Sequence, residues 1–261
     1  MEVPKSHPRY LSLMARNKVV KGIERGITSL HGLISQGRGE AFDYLIGEKT
    51  QPPAKKAIEA AACLLLTAKH PIISVNGNAA ALVPEELVRL SKIIPAKLEV
   101  NLFHASWSRE IKIGNHLIKN GANEVLLPHK SSCIPHLDHN RRFCNEDGIL
   151  KADVVFVPLE DGDRCKALEK MGKKVITIDL NPLSRTSKTA TITIVDNITR
   201  ALPLLIKTIK KYSSLKENQR KIKDFPSSKS KNFEQLKNKL KKYDNKKILR
   251  KSLKYVAKSF S

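Results

Sequence analysis

The chain has 261 residues, of which 41% are hydrophobic, so it can build one large α/β domain or two small ones around a real core. It has no run of 18 apolar residues and no apolar leader at its start, so we expect neither a membrane span nor secretion. The formal net charge is +23, and residues 210–261 alone carry 18 lysines and arginines against 4 acidic residues. The four cysteines are scattered, which excludes a disulfide framework and suits a reducing cytoplasm.

Within the first 205 residues, a helical N-terminal region is followed by alternating strands and helices. Apolar spacing predicts helices over 16–25 and 39–46, and a stronger helix over 53–69 that begins at prolines. From residue 71, short β-branched runs alternate with helical stretches, which predicts a parallel sheet with flanking helices. Strands are expected at 72–75, 98–103, 124–127, 154–158, 175–178 and 190–195, and helices at 85–93, 108–119 and 166–171.

The remaining residues are basic and helical. Apolar side chains at 249, 253, 256 and 260 are spaced by 4, 3 and 4, so we expect the last helix to dock on the body. The polar stretch 213–232 predicts a flexible insertion between helices. The expected organisation is an α/β core over 1–205, including the helical N-terminal region, and a basic helical C-terminal extension over 206–261 that packs on it.

The segment 173–203 has the most informative functional pattern. A short strand runs directly into Asp179, and a polar loop with Asn181, Arg185 and Thr186 follows. In open α/β sheets, ligands bind beyond the carboxyl ends of the strands. There an acid can accept hydrogen bonds from ribose hydroxyls, and Arg with Thr can hold phosphate oxygens. We interpret the segment as one wall of a nucleotide site; the alternative is a solvated connection between two strands.

A second strand end, Asn76-Gly77-Asn78, precedes a helix expected a few residues later. Glycine permits close backbone approach, and the asparagines supply donors and acceptors, so the turn suits a carboxylate or a phosphate. It matches neither GxGxxG nor GxxxxGK[ST], and a plain βα turn is the alternative.

Arg38 lies between two glycines, just before Glu40 and Asp43. This pattern is typical of an anion-binding loop beside carboxylates that can hold a metal or an amine; the alternative is a helix start with acids in its first turn.

Histidines and cysteines invite two further interpretations. His104 follows a strand, although a lone histidine is more often structural than catalytic. The segment 128–145 is rich in His and Cys, but its irregular spacing lacks the paired ligands of a zinc site, so we predict no structural zinc.

In long unbroken segments the chain resembles archaeal phosphopantothenate synthetases, also called 4-phosphopantoate–β-alanine ligases: PKSHPRYLSL, GITSLHGLISQGRGEAFDYLIGEKT, ISVNGNAAALVP, EVNLFH, KADVVFVPLEDGDR, DLNPLSRT and ITIVDNITRA. The resemblance covers residues 4–205 almost continuously and resumes at YDNKKILRKSLKYVA. It weakens at 128–145, which has extra His and Cys, and at 213–235, which is more basic than usual.

The resemblance implies a Rossmann-like homodimer that uses ATP in coenzyme A biosynthesis. The enzyme would join 4-phosphopantoate to β-alanine through an acyl-adenylate and release AMP and pyrophosphate. By motif, the nucleotide contacts fall on Arg16, Arg38, Asp179, Leu180, Asn181, Arg185, Thr186, Asp196 and Asn197. Candidates for the acid substrate are Asn76, Gly77 and Asn78, followed by Asn101, His139 and Arg141.

The reaction class assigns two catalytic roles. Arg38 would neutralise phosphate charge, and His104 is the candidate base for the amine of β-alanine. Magnesium would bridge phosphate oxygens, with Glu40 or Asp43 as possible ligands, and no dedicated protein metal site is expected.

Two other functions explain part of the pattern. A nucleic-acid-binding protein would explain the basic tail but not the polar strand ends, so we do not expect a nucleic-acid partner. A nicotinamide-dependent dehydrogenase would explain the α/β alternation, but its glycine fingerprint is missing.

Overall fold

A computed structural model describes residues 3–221, 237–238 and 240–258, with the backbone alone for 215–221. The helices are α1 (Tyr10–Glu24), α2 (Leu30–Leu45), α3 (Pro52–Thr67), α4 (Gly77–Leu82), α5 (Pro84–Ile93), α6 (Trp107–Lys119), α7 (Gly162–Lys170), α8 (Arg185–Thr189), α9 (Ile198–Lys221) and α10 (Asn245–Lys258). The strands are β1 (Pro71–Val75), β2 (Lys97–Val100), β3 (Val125–Leu126), β4 (His129–Cys133), β5 (Phe143–Cys144), β6 (Val154–Phe156), β7 (Lys174–Ile178) and β8 (Ile192–Ile194).

Six strands form one sheet in the order β3-β2-β1-β6-β7-β8, and every neighbouring pair is parallel. This confirms the predicted parallel sheet with flanking helices. The chain adds β2 and β3 on one side of β1 and then returns to add β6, β7 and β8 on the other. The strand order therefore reverses between β1 and β6, which is where open α/β sheets form a ligand-binding crevice.

The sheet is buried on both faces because its strands alternate apolar side chains between two clusters. Ile73 and Phe156 belong to the larger cluster, which includes buried residues of α3, α5 and α9. Ile72 and Val155 point the other way, into a smaller cluster with Leu168 of α7. Strands that are buried on both faces need apolar side chains at nearly every position, and the β-branched runs of this sequence meet that need.

Several boundaries differ from the predicted ones. The helix predicted over 39–46 is the end of α2, which begins at Leu30. The polar loop after Asp179 contains the short helix α8, which Ser184 caps by accepting a hydrogen bond from the Ser187 N–H. The His/Cys-rich segment folds as the antiparallel pair β4–β5, followed by a π-helical turn over Glu146–Leu150.

The C-terminal region docks through α10. This helix packs against α3, α8 and β8, and it buries Ile248 and Leu249. The predicted boundary at 205/206 falls inside α9. That helix continues to Lys221, so the first part of the predicted flexible insertion is helical, and residues 222–232 lie outside the described residues, as does Phe260. In the described part of the chain, no helix combines the length and apolarity that a membrane span needs.

Candidate active site

A cavity of about 490 Å³ lies at the carboxyl ends of five parallel strands, at the point where the strand order reverses. Helix α2 lies along it. Its lining comes from segments that are far apart in sequence: Thr28–Phe42, Asn76–Asn78, Leu102–Arg109, Arg141, Leu159–Asp161, Asp179–Thr186 and Asn197–Ile198 each contribute residues.

Asn76 joins the two strands that border the reversal point. Its side-chain N–H group donates to the carbonyls of Pro158 (2.8 Å) and Leu159 (3.1 Å), just after β6. Its side-chain oxygen accepts from the Ala79 N–H at 3.0 Å and caps α4, which therefore begins at Gly77 rather than several residues later as predicted. Leu159 has φ +57°, a left-handed conformation that costs a non-glycine residue about 1–3 kcal/mol. The hydrogen bonds from Asn76 help to hold this backbone at the cavity wall.

Asn78 joins the same turn to α2. Its amide nitrogen donates to the Gly32 carbonyl at 2.8 Å, and its side-chain oxygen accepts from the Thr28 hydroxyl. A Cβ atom on Gly32 would lie 2.2 Å from that oxygen, so only glycine allows this approach. The polar groups of Asn78 are therefore engaged by the protein, and they fix α2 beside the cavity.

The predicted nucleotide wall lines the other half of the cavity. Asp179 accepts from the Asn181 N–H at 2.9 Å and from the Ser184 hydroxyl. Burial raises the pKa of Asp179, although these bonds and the nearby charge of Arg38 act in the opposite direction. The buried Thr186 hydroxyl donates to the Glu160 carbonyl at 2.8 Å. The wall thus offers a carboxylate whose hydrogen bonds already fix its position.

Arg38 lies inside α2, so the loop interpretation of this arginine is wrong, although its side chain does line the cavity. Glycine costs a helix interior about 1 kcal/mol. In α2, close packing requires glycine at Gly32 only: a Cβ on Gly39 would make ordinary contact with Leu180 at 3.4 Å, and one on Gly37 would have no neighbour within 4 Å.

The two carboxylates that follow Arg38 do not line the cavity. Glu40 accepts two hydrogen bonds from Arg16, at 2.7 and 2.9 Å, and further bonds from Arg9 and the Tyr44 hydroxyl. These donors hold the pKa of Glu40 below its usual value, even though burial alone would raise it.

Asp43 is engaged in the same way by Arg200 and by the Asn197 amide, which donates at 2.8 Å. Neither carboxylate has a free oxygen for magnesium, so the predicted metal ligands do not fit that role. Among the described residues, no three His, Cys, Asp or Glu side chains form a metal-binding group.

A buried ionic network forms the cavity floor. Arg141 pairs with Glu160 at 2.8 Å and with Asp161, and Asn101 accepts from its Nε at 3.1 Å. Arg164, fully buried, donates to the other Glu160 oxygen at 2.6 Å. Burial alone would lower the pKa of Arg141, but Glu160 and Asp161 raise it. Arg141 is therefore a fixed cation whose charge the protein already balances.

Aromatic rings and one more arginine close the end of the cavity beside β2. His104 stacks on His31 with ring centroids 4.7 Å apart, and Phe103 meets His104 edge-on at 5.0 Å. Arg109, in the first turn of α6, donates to the carbonyls of His104 (2.7 Å) and Ile27 (3.4 Å).

The structure brings most of the predicted residues together. The cavity is lined by Arg38, Asn76, Gly77, Asn78, His104, Arg141, Asp179, Leu180, Asn181, Thr186 and Asn197. Five others lie outside the lining: Arg16 pairs with Glu40, Asn101 supports Arg141, His139 bonds Asp163 at 2.7 Å, Asp196 bonds Arg200, and Arg185 is exposed.

The sequence interpretation did not include Arg109, Glu160 or Arg164. The spacing of Glu160 and Arg164, four residues apart, is a recognisable ion-pair signal. Arg109 gave no comparable signal, because an arginine near a helix start usually faces solvent.

Comparisons with known proteins give the family of the chain. A family model described as phosphopantothenate/pantothenate synthetase matches residues 53–259. A Thermococcus kodakarensis protein named 4-phosphopantoate–beta-alanine ligase is 55% identical over 207 residues, which cover 79% of each chain. Proteins of the same name from Methanosarcina mazei and Thermococcus onnurineus are 58% and 54% identical, over 77% and 82% of this chain and 79% and 83% of their own. The chain belongs to the phosphopantothenate/pantothenate synthetase family.

Proposed function

We propose that this protein is an ATP-dependent ligase that condenses 4-phosphopantoate with β-alanine to give 4'-phosphopantothenate in coenzyme A biosynthesis. The observation that carries the proposal is the lined cavity at the strand reversal point, in a chain more than half identical to relatives named for this activity. Nothing in the comparisons supports the nucleic-acid-binding or dehydrogenase alternatives.

The half of the cavity beside β7 and β8 suits ATP. Asp179, already fixed by Asn181 and Ser184, presents a carboxylate that can accept from ribose hydroxyls. Arg38 lies on the opposite wall, on α2, and can neutralise phosphate charge. We keep Leu180, Asn181, Thr186 and Asn197 as nucleotide contacts because they line the same half. Arg16, Arg185 and Asp196 remain proposals from the family resemblance alone.

The chemistry requires positioning more than covalent catalysis. The carboxylate oxygen of 4-phosphopantoate attacks the α-phosphorus of ATP, and pyrophosphate leaves. The amine of β-alanine then attacks the acyl carbon, the bond from that carbon to the bridging oxygen breaks, and AMP leaves with the oxygen. Holding the reactants in line can remove about 7–11 kcal/mol of the barrier. His104, whose ring stacks on His31 in the cavity lining, is the candidate to accept the amine proton.

Magnesium fits this scheme as a companion of ATP. It usually keeps several waters and binds through substrate phosphates with one or two carboxylates. Glu40 and Asp43 are excluded as ligands because protein donors engage both of their oxygens. Asp161 lines the cavity, its side chain is 46% exposed, and it pairs with Arg141 through one oxygen. Asp161 is therefore our candidate ligand, and the metal would offset the phosphate charge.

Two further parts of the proposal come from the family and the composition. We propose a homodimer, as the family resemblance implies, and a cytoplasmic location, which the scattered free cysteines suit.

The test is product analysis. Purified protein incubated with ATP, magnesium, 4-phosphopantoate and β-alanine should turn over, with release of AMP and pyrophosphate, only when both acid and amine are present. Formation of ADP and phosphate, or an equal rate with unphosphorylated pantoate, would count against the proposal.

A further inference from the structure

The charge on Arg109 is unusual among the arginines of the cavity. The side chain lies in the lining, held by the carbonyls of Ile27 and His104. These bonds use two of the five N–H donors of a guanidinium. The Nε atom is buried without any partner. No carboxylate of the described residues forms an ion pair with Arg109, and burial lowers its pKa with no compensating anion.

The other arginines in and around the cavity are neutralised by the protein. Arg141 and Arg164 share Glu160, and Arg200 pairs with Asp43 and Asp196. Of the three arginines among the described lining residues, Arg141 has an ion pair, whereas Arg38 and Arg109 have none. These two cations without counterions match the two substrates that carry phosphate groups, ATP and 4-phosphopantoate.

The two cations lie at opposite ends of the cavity. Arg38 acts electrostatically on Asp179, which follows β7, whereas Arg109 contacts the residues after β2. Strands β2 and β7 are three positions apart in the sheet, which corresponds to about 14 Å. With ATP at the β7 end, the reacting carboxylate lies between the two, and the opposite end of the acid substrate extends toward Arg109.

We propose that Arg109 binds the phosphomonoester of the acid substrate and so makes the enzyme select 4-phosphopantoate over pantoate. The inference rests on the proposed function. One N–H group remains on each terminal nitrogen of the guanidinium, and the two together can hold two phosphate oxygens in a bidentate manner. Gly77 makes room for this side chain, since a Cβ there would lie 3.3 Å from an Arg109 nitrogen and 2.6 Å from the Ile27 carbonyl.

A dianionic phosphate explains the uncompensated charge better than the carboxylate of β-alanine. The phosphate brings up to two negative charges to one cation in a half-buried end of the cavity, where charge-assisted bonds are strong. The hydroxyl of pantoate would leave the guanidinium donors unpaired, and unpaired buried donors are what give a site strong discrimination.

The experiment measures the Kd of 4-phosphopantoate and of pantoate by calorimetry for wild type, Arg109→Met and Arg109→Lys. We expect Arg109→Met to reduce the preference for the phosphorylated acid by about 100-fold, and Arg109→Lys, which keeps the charge without the fork, by about 10-fold. Arg89→Met, on an exposed position of α5, is the matched control and should keep the wild-type preference.

Two readouts separate the possible failures. ATP affinity should stay at the wild-type value in each variant, which shows that the fold is intact; if Arg109→Met is unfolded, Arg109→Lys decides. An unchanged preference in a folded variant would overturn the assignment, as would a loss confined to the KM of β-alanine. Absence of AMP formation by the wild type would instead refute the proposed function, and the Kd ratios would still judge Arg109.

Discussion

The carboxylates in and around this site differ in whether protein cations already pair with them. Glu40 and Asp43 are held by arginines that come from α1 and α9, whereas Asp179 has only hydroxyl and backbone donors. This difference decides which acids remain available to a ligand. The sequence located Asp179 because it directly follows a strand, but it could not reveal that Glu40 is neutralised by Arg9 and Arg16, more than 20 residues away.

Arg38 is the residue on which the nucleotide proposal depends most. Arg38→Ala should lower kcat/KM for ATP by about 30- to 150-fold, because losing a charge-assisted contact costs about 2–3 kcal/mol. Steady-state kinetics with ATP as the varied substrate measure this. Arg185→Ala tests separately the contact that the family resemblance implies. An equal loss of kcat/KM would show that the exposed Arg185 side chain contacts ATP, and an unchanged kcat/KM would show that it does not. Wild-type kinetics in Arg38→Ala would contradict the ATP assignment.

Glu99 should make stability depend on pH. Burial raises the pKa of this carboxyl from 4.5 to about 7, although it accepts the Asn145 and Ile149 N–H groups and feels Arg164 and Lys173. The folded state thus binds the proton more tightly than the unfolded state. The contribution of Glu99 to the free energy of unfolding is greatest below pH 4.5. It falls as pH rises through about 7, by about 3 kcal/mol in total.

Urea unfolding of Glu99→Gln between pH 5 and 8 measures this contribution. The variant should lack that fall in stability with pH, although it loses one backbone acceptor at every pH. Glu24→Gln, at an exposed position, is the control and should behave like the wild type. The same pH profile for Glu99→Gln and wild type would contradict the expected titration.

The helices beside the site show why some elements were predictable and others were not. The parallel strands follow directly from β-branched runs that are buried on two faces. The N-terminal half of α2 was not predicted, because Gly32 and Gly37 lower helix propensity, and the need for Gly32 arises only from its contact with Asn78. Helix α8 is too short and polar to show an apolar period. Tertiary contacts and caps, rather than local pattern, produce both elements.

Docking of α10 depends on Asn245 as much as on apolar burial. Its amide donates to the carbonyls of Ser187 (2.8 Å) and Ala190 (2.9 Å), and its oxygen accepts from the Thr193 N–H at 2.9 Å. Asn245→Ala should therefore lower the free energy of unfolding by about 2–3 kcal/mol, because the Ala190 carbonyl and the Thr193 N–H lose their side-chain partner and the Ser187 carbonyl keeps only the Thr193 hydroxyl. Lys251→Ala, at an exposed position of the same helix, should change it by less than about 0.5 kcal/mol. Equal stability of the two variants in urea unfolding would refute this role.

At the scale of the whole molecule, the strand order determines which polar residues meet at the crevice. The crevice exists because the chain returns to β1 and adds β6 on its other side, which brings Asn76 and Leu159 together although they are 83 residues apart. Sequence alone identified the strand ends but not their order. It therefore found the nucleotide wall and the Asn76 turn as separate features, and it missed Arg109, whose significance depends on the cavity between them.

In the proposed reaction, one oxygen of the acid substrate passes through an acyl-adenylate to AMP. The direct measurement uses 4-phosphopantoate with both carboxylate oxygens replaced by ¹⁸O, together with ATP and β-alanine, and analyses the products by mass spectrometry. We expect one ¹⁸O atom in each AMP and one in the amide product, because the carboxylate oxygen stays on phosphorus when the amine displaces AMP. Unlabelled AMP, or ¹⁸O in inorganic phosphate accompanied by ADP, would contradict it.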